Sequence, residues 1–388
     1  MLTKNINFKK FGIKNNFYQK KINIKKLLKY YSEKKFIKSL SNNYNYSFDK
    51  SKIRKYKNFS NYNIIGMGGS SLGIAAIYSF LSFKIKKNFN FFNNISLNKN
   101  IFHKKSKTLN IVISKSGNTL ETITNFNFLK NKKNNLFISE SSNNYLRKLA
   151  YKLKSEIIEH RNYIGGRYSV LSEVGMLPSI LMGLDEKKFK NFKNLVKNDK
   201  FINGLVDSVA STIFFIKKKK FNSIILNYDE QSEDLFKWYQ QLIAESLGKK
   251  SKGLLPLVSI MPRDNHSLMQ LYLDGPKNSF YTFFDVLEKK KLKIDNSIIL
   301  DSHYYLKNKS LFDIKTAQKK ATQTIFRNKK IPFRCFDILN RSEKSLGEIF
   351  TFFMLETILL GEALKVNPFD QPSVELIKVE TNKILKKN

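Results

Sequence analysis

Six short stretches of this chain hold residue types able to do chemistry. GMGGSSLG, residues 66–73, follows a strand-like run and opens a helical pattern. Glycines there let a ligand approach the backbone, and the amides of the helix start, with Gly69 and Ser70, offer donors to an anion. A tight turn made for packing alone would use the same residues, and the spacing is not that of a dinucleotide fingerprint. VISKSGNTLET, residues 112–122, breaks a Val and Ile strand to set a lysine and hydroxyls ahead of a helix. Asn118 with Glu121 has capping-box spacing, which accounts for those two but leaves Ser114, Lys115, Ser116 and Thr119. Three hydroxyls, free amides and a helix start suit a tetrahedral dianion better than a flat carboxylate. Without a GKS or GKT ending the loop is not a nucleotide P-loop, so a small phosphorylated metabolite is expected.

In GGRYSVLSEVGMLP two glycines put Arg167 on an irregular turn just before a helix. A permanent, planar cation there can stabilise an oxyanion, or it can make a surface salt bridge. QQLIAESLGK places Glu245 in the last turn of an amphipathic helix closed by Gly248. A carboxylate is electrostatically disfavoured at that end, which suits a proton acceptor, although ordinary surface glutamates occur there too. DNHSLMQLYLDG holds His266 near a helix start, and a neutral imidazole can shuttle protons near pH 7. His103, His160 and His303 stand far apart without paired ligand spacing, so neither a metal site nor a cofactor is indicated. In DQPSVELIKV, Gln371 and Lys378 are two helical turns apart, about 10.5 Å along the axis, and can point at one ligand. Val374 and Ile377 in the same stretch form a stripe that is more often core.

These residues need a scaffold. Short apolar runs at 63–66, 109–114, 135–139 and 156–160 alternate with helical stretches such as LETITNFNFLK and NYLRKLAYKLK, the rhythm of parallel βαβ units with both sheet faces covered. From 171 to about 217 the pattern is mainly helical. A second series then runs through NSIILNY, EDLFKWYQQLIAESLG, LLPLVSIM, SFYTFFDVL, LFDIKTAQKKATQTIF and PFRCFDIL. The organisation expected is a helical arm at 1–50, a first α/β domain at 51–190, a helical linker at 191–217, a second α/β domain at 218–342 and C-terminal helices at 343–388. IFTFFMLETILLGEAL, interrupted by Glu356 and Glu362, is too short and too charged for a membrane span and reads as a buried helix.

The net charge of +39 would ordinarily suggest nucleic acid or an anionic membrane. Here the excess is spread along the whole chain, its longest run is residues 217–220, and aromatics do not interleave with it as base stacking requires. Neither partner is expected. A lone cysteine, Cys335, excludes an internal disulfide and suits a reducing cytosol, where it packs as a small buried side chain. The N-terminus lacks the unbroken apolar core of a signal peptide, so a cytoplasmic protein is expected.

Taken together and in order, GMGGSSLG, SKSGNTLET, IGGRYS, ESLGK, NHSLMQL and DQPSVELIK resemble the motifs of the glucose-6-phosphate isomerase, or phosphoglucose isomerase, family, across about residues 61–378. The resemblance implies two sugar-isomerase (SIS-type) αβα three-layer domains with parallel sheets, helical N- and C-terminal arms, and a homodimer. It also implies metal-free, cofactor-free interconversion of glucose 6-phosphate and fructose 6-phosphate. Carried over by motif, Ser114, Lys115, Ser116 and Thr119 bind the phosphate, with Gly69 and Ser70 lining the same pocket. Glu245 moves a proton between C2 and C1 through a cis-enediol, and Arg167 stabilises the enediolate. His266, entering from the partner subunit, and Lys378 assist ring opening, while Gln371 positions the substrate. Ser373 stands where the family usually has glycine, and Asn118 where many relatives have threonine. An isomerase that also accepts mannose 6-phosphate, or a sugar-phosphate-sensing regulator, would share the phosphate loop. Glu245, His266 and Lys378 together favour the enzyme, since a sensor needs no base.

Overall fold

The computed structural model describes residues 1–13, 34–96, 107–129, 132–288 and 292–387. Part of the expected N-terminal arm and His103 lie outside the described residues. Within the first segment, β1 (Ile6–Lys9) is a strand that the sequence reading did not anticipate. It pairs antiparallel with a strand more than three hundred residues away in the second sheet, with Phe8 opposite Phe336. Four residues carry too short a pattern to separate a strand from an arm; the long-range pairing decides it.

The first sheet contains β2 (Asn61–Ile65), β3 (Asn88–Phe92), β4 (Thr108–Ile113), β5 (Asn135–Ser139) and β6 (Glu156–Glu159), all parallel, in the order β3-β2-β4-β5-β6. Every residue of β4 and β5 is buried, as strands covered on both faces must be. Asparagine crosses this sheet as a ladder. Asn90 donates to Asn63 at 3.2 Å, Asn63 to Asn110 at 2.9 Å and Asn110 to Asn135 at 3.0 Å. Each pair sits in register, so slipping a strand by one residue would strand buried amides without partners. The crossovers include α1 (Leu72–Phe80), α2 (Leu120–Phe128) and α3 (Tyr145–Lys152). Then α4 (Glu173–Leu181), wholly buried, and α5 (Asp199–Lys217) lead to the second sheet.

That sheet holds β7 (Asn222–Asn227), β8 (Leu255–Ile260), β9 (Ser279–Val286) and β10 (Phe333–Ile338), parallel to one another, in the order β1-β10-β9-β7-β8. Its crossovers carry α6 (Glu233–Leu247), the short α7 (Met269–Asp274) and α8 (Leu311–Asn328). Helix α9 (Glu343–Ala363) is buried on nearly all sides, as its composition suggested. Glu356, fully buried on it, is matched by Arg334 of β10, whose Nη2 donates to Glu356 Oε2 at 3.1 Å. Glu348 accepts from Thr3 and Asn5 and ties the N-terminus to the same helix. Among the described residues no helix is long and apolar enough to cross a membrane. The last helix, α10 (Pro372–Lys387), buries no residue against the body.

Candidate active site

In the first sheet the chain winds to opposite sides after β2 and after β4, and ligands in open α/β sheets bind at such a switch point. The loops leaving these two strands are GMGGSS and SKSGNT. They touch where they start, since a Cβ on Gly66 would meet Ile113 O at 2.8 Å.

The hydroxyl loop is organised by its own side chains. Ser114 Oγ and Thr119 Oγ1 share a hydrogen bond at 2.8 Å, and the amide of Gly117 donates to Ser114 Oγ at 3.1 Å. Gly117 has φ +67° and packs so closely on Asn144 that a Cβ would lie 1.9 Å from Oδ1, so glycine is required twice over. Lys115 Nζ donates to Asn162 O at 2.8 Å and faces Glu140 at 3.4 Å, while Ser116 is exposed. The capping-box alternative does not hold. The residue preceding α2 is Thr119, without a side-chain cap, and Asn118 Oδ1 accepts from Tyr145 N at the start of α3. Behind the loop His160 is buried, and burial pushes its imidazole down to about 4, with the nearby Lys115 charge acting in the same direction.

The glycine turn positions the arginine. Gly69 lies so close to the IGGR segment that a Cβ there would sit 2.2 Å from Gly166 C and 2.6 Å from Arg167 N. Arg167 is buried, and all its donors are used. Nε donates to Ser246 Oγ at 2.7 Å, Nη1 to Glu245 Oε2 at 3.2 Å and to Gln371 Oε1 at 2.6 Å, and Nη2 to Pro368 O at 2.6 Å and Asp370 O at 3.0 Å. Tyr168 OH also reaches Ser246 Oγ and Pro368 O, and burial pushes its phenol upward. Trp238 Nε1 donates to Arg167 O at 3.1 Å, fixing the backbone of the turn from α6. The segment before α10 is held from the other side. Lys249 donates to Asn367 O and lies 2.9 Å from Asp370 Oδ1, and that ammonium holds the Asp370 carboxyl below its ordinary value.

Arg167, Glu245 and Gln371 are therefore brought together from three parts of the chain, which rules out the surface salt bridge for Arg167. Glu245 keeps 28% of its side chain open to solvent, so its carboxylate can meet a ligand while the guanidinium behind it stays dry. Sequence reasoning missed Gln241, one turn before Glu245 on the same face of α6. Its Nε2 donates to Glu245 Oε1 at 2.9 Å, its Oε1 is buried without a partner, and Gly68 passes close to its amide. The i, i+4 spacing within QQLIAES was the available signal.

Two sequence candidates stand apart. Lys378 is exposed on α10 and pairs with Glu375 at 2.7 Å. His266 is exposed just past the carboxyl end of β8. Because β7 and β8 are parallel neighbours, α6 must run back along the sheet between them. Glu245 therefore sits near the opposite end of the second sheet, thirteen residues into a helix that rises about 1.5 Å per residue. Within one chain roughly 20 Å separates the levels of the two side chains. Among the described residues no group of three or more His, Cys, Asp or Glu side chains is arranged to hold a metal ion.

A partly open carboxylate against a buried, fixed guanidinium, beside a hydroxyl loop at a helix start, can move a proton at a carbon next to a carbonyl of an anchored anion. The comparisons agree with that chemistry. The family model described as phosphoglucose isomerase matches residues 33–388. The glucose-6-phosphate isomerase of Mycoplasmopsis pulmonis is 34% identical over 84% of this chain and 82% of its own. That of Methanocaldococcus jannaschii is 32% identical over 83% and 84%. Among solved structures, a hypothetical protein of Thermus thermophilus superposes with a TM-score of 0.83 at 22% identity, covering 95% of both chains. A glucose-6-phosphate isomerase of Chlamydia trachomatis gives 0.70 at 18% identity, over 87% of this chain and 72% of its own. At those identities the structures show the fold, which is the paired αβα arrangement expected from the sequence.

Proposed function

The chain belongs to the phosphoglucose isomerase family, and from that premise we infer that it interconverts D-glucose 6-phosphate and D-fructose 6-phosphate, an aldose-ketose isomerisation of glycolysis and gluconeogenesis. The observation that carries the assignment of roles is the buried Arg167 fork, which gathers Glu245 and Gln371 around one cation.

The phosphate is held by Ser114, Lys115, Ser116 and Thr119, with Gly69 and Ser70 completing the cradle. A dianion anchored there contributes binding energy remote from the reacting carbons and keeps the flexible sugar in place. Ring opening needs an acid and a base distinct from the isomerisation base, and these roles fall to His266 and Lys378. In the open aldose Glu245 takes the proton from C2. The C1 carbonyl oxygen gains the electron pair, and Arg167 offsets the charge of the resulting enediolate. The O2 hydroxyl proton passes to O1, and the same carboxyl group returns its own proton to C1 as the C2 oxygen becomes the ketone, so no atom is lost and no oxidant is needed. Gln371, held by Arg167, orients the substrate.

The separation of His266 from Glu245 along α6 supports a homodimer in which His266 enters from a second copy, since neither side chain can cross the sheet to reach the other. Such a dimer, acting on a sugar phosphate in the cytoplasm, needs no nucleic acid or membrane partner. A coupled assay tests the reading: fructose 6-phosphate is supplied, with EDTA present, and glucose 6-phosphate is detected through a dehydrogenase. Sustained turnover is expected, and a folded chain without turnover would contradict the assignment.

A further inference from the structure

The hydroxyl loop after β4 is braced by the loop after β5. Ile113 and Ile138 are in register across these two parallel strands, and the ladder runs on past them. Ser114 N donates to Ile138 O and Glu140 N to Lys115 O, both at 3.1 Å. Residues 140–145 also supply Asn144, on which Gly117 packs, and Tyr145 N, which donates to Asn118 Oδ1 at 3.0 Å. Strand register therefore sets Glu140 beside Lys115, and the pair belongs to the foundation of the hydroxyl loop.

The Lys115 ammonium is committed to two acceptors of the chain itself, Asn162 O at 2.8 Å and the Glu140 carboxylate at 3.4 Å. The two side chains are only 33% and 23% exposed, so solvent screens this pair less than one standing free on the surface. Arg147 donates to the Glu140 carbonyl at 3.3 Å, and among the described residues Lys115 is the cation paired with the carboxylate. His160, buried near Lys115 and neutral down to about 4, adds no second cation. A phosphate entering beside Ser114, Ser116 and Thr119 must therefore draw Lys115 away from Glu140. Once it has done so, it stands near a carboxylate that has lost its cation. Both effects weaken the phosphate complex relative to a loop with a neutral side chain at position 140. Hydroxyls and amides alone would hold the anion; the tethered carboxylate limits how tightly.

We propose that Glu140 is a positioning residue of the phosphate loop: it holds Lys115 while the loop is empty, competes with the phosphate for it, and so keeps sugar-phosphate binding loose and reversible. This rests on the reading of residues 114–119 as the phosphate site. Binding of inorganic phosphate to the full chain, followed by phosphorus NMR at low salt, is compared in wild type, Glu140→Gln, Lys115→Met and the double variant. Glu140→Gln should bind phosphate about threefold more tightly, a gain that damage to the loop would not produce. In the Lys115→Met background the gain should shrink to less than about 1.5-fold, because little but direct repulsion is left to relieve. KM for fructose 6-phosphate should fall by a similar factor in Glu140→Gln without a matching rise in kcat, since ground and transition states share the phosphate contact. Unchanged or weaker phosphate binding in Glu140→Gln, with Lys115→Met weaker than wild type, would overturn the proposal and leave the phosphate site standing. An equal gain in both backgrounds would show that Glu140 acts on the phosphate directly, which overturns the positioning role. Phosphate binding in Lys115→Met as tight as in wild type would remove the role of Lys115 in the phosphate site and the proposal with it.

Discussion

Arg167 Nη1 donates to Glu245 Oε2 at 3.2 Å across 78 residues of sequence, from a turn of the first sheet to the last turn of a helix in the second. The pair fastens a turn of the first sheet to a helix of the second. Arg167 is dry while Glu245 stays partly open to solvent, so the cation is fixed behind a carboxylate that a ligand can reach.

Arg167→Lys keeps the charge and loses the fork. A single ammonium cannot serve Ser246, Gln371, Pro368 O and Asp370 O together. We expect kcat/KM to fall about 100-fold or more. Affinity for inorganic phosphate, measured by competition, should stay within about twofold, since the loop proposed to hold phosphate is untouched. Equal activity in the lysine variant would mean that charge alone is needed.

Gly69→Ala and Gly165→Ala separate packing from chemistry at neighbouring places. A Cβ on Gly69 meets backbone at 2.2 Å, whereas one on Gly165 meets only Tyr168 Cδ2 at 3.5 Å. The first variant should lose most activity and melt several degrees lower, because the Arg167 turn must shift. The second should match the wild type in both measurements.

His160 gives the chain an acid-side sensitivity. Its folded value, about 4, lies below the ordinary 6.5 because burial disfavours the imidazolium. Between these values the unfolded chain binds a proton that the folded chain refuses. The stabilising contribution is therefore complete above about 6.5 and is lost as pH falls toward about 4. Chemical denaturation of wild type and His160→Gln across this window should show a slope difference approaching about 1.4 kcal/mol per pH unit, with the variant flatter.

Two inactive variants should repair each other if His266 comes from a second copy. In a mixed dimer of Glu245→Gln and His266→Ala chains, one site regains both native groups and the other loses both. Random re-association of equal amounts should restore about a quarter of wild-type activity. No recovery, with dimers demonstrated by light scattering, would place both groups in one chain.

Several loops of the candidate site are visible in the sequence because they are local. Ser114, Lys115, Ser116 and Thr119 sit in one turn between a buried strand and a helix, and the chemistry of that turn is written in adjacent residues. The partnership of Arg167 with Gln371 and Pro368 O could not be read, since it depends on how the chain folds back over two hundred residues. Gln241 was passed over because an amide on an amphipathic helix carries no distinctive signal until its neighbours are known. The strand β1 was missed for the same reason, as it exists only through its pairing with β10. The capping-box spacing of Asn118 and Glu121 misled because Tyr145, from another helix, offers Asn118 a competing donor.

The central claim is that Glu245 carries the proton between C2 and C1. Isomerisation in deuterium oxide, followed by NMR at those two carbons, tests it in wild type and Glu245→Gln. Wild type should exchange solvent deuterium into the product. The variant, folded with an unchanged melting temperature, should lose both turnover and exchange by about 1,000-fold. Exchange at the wild-type rate in Glu245→Gln would show that another group is the base.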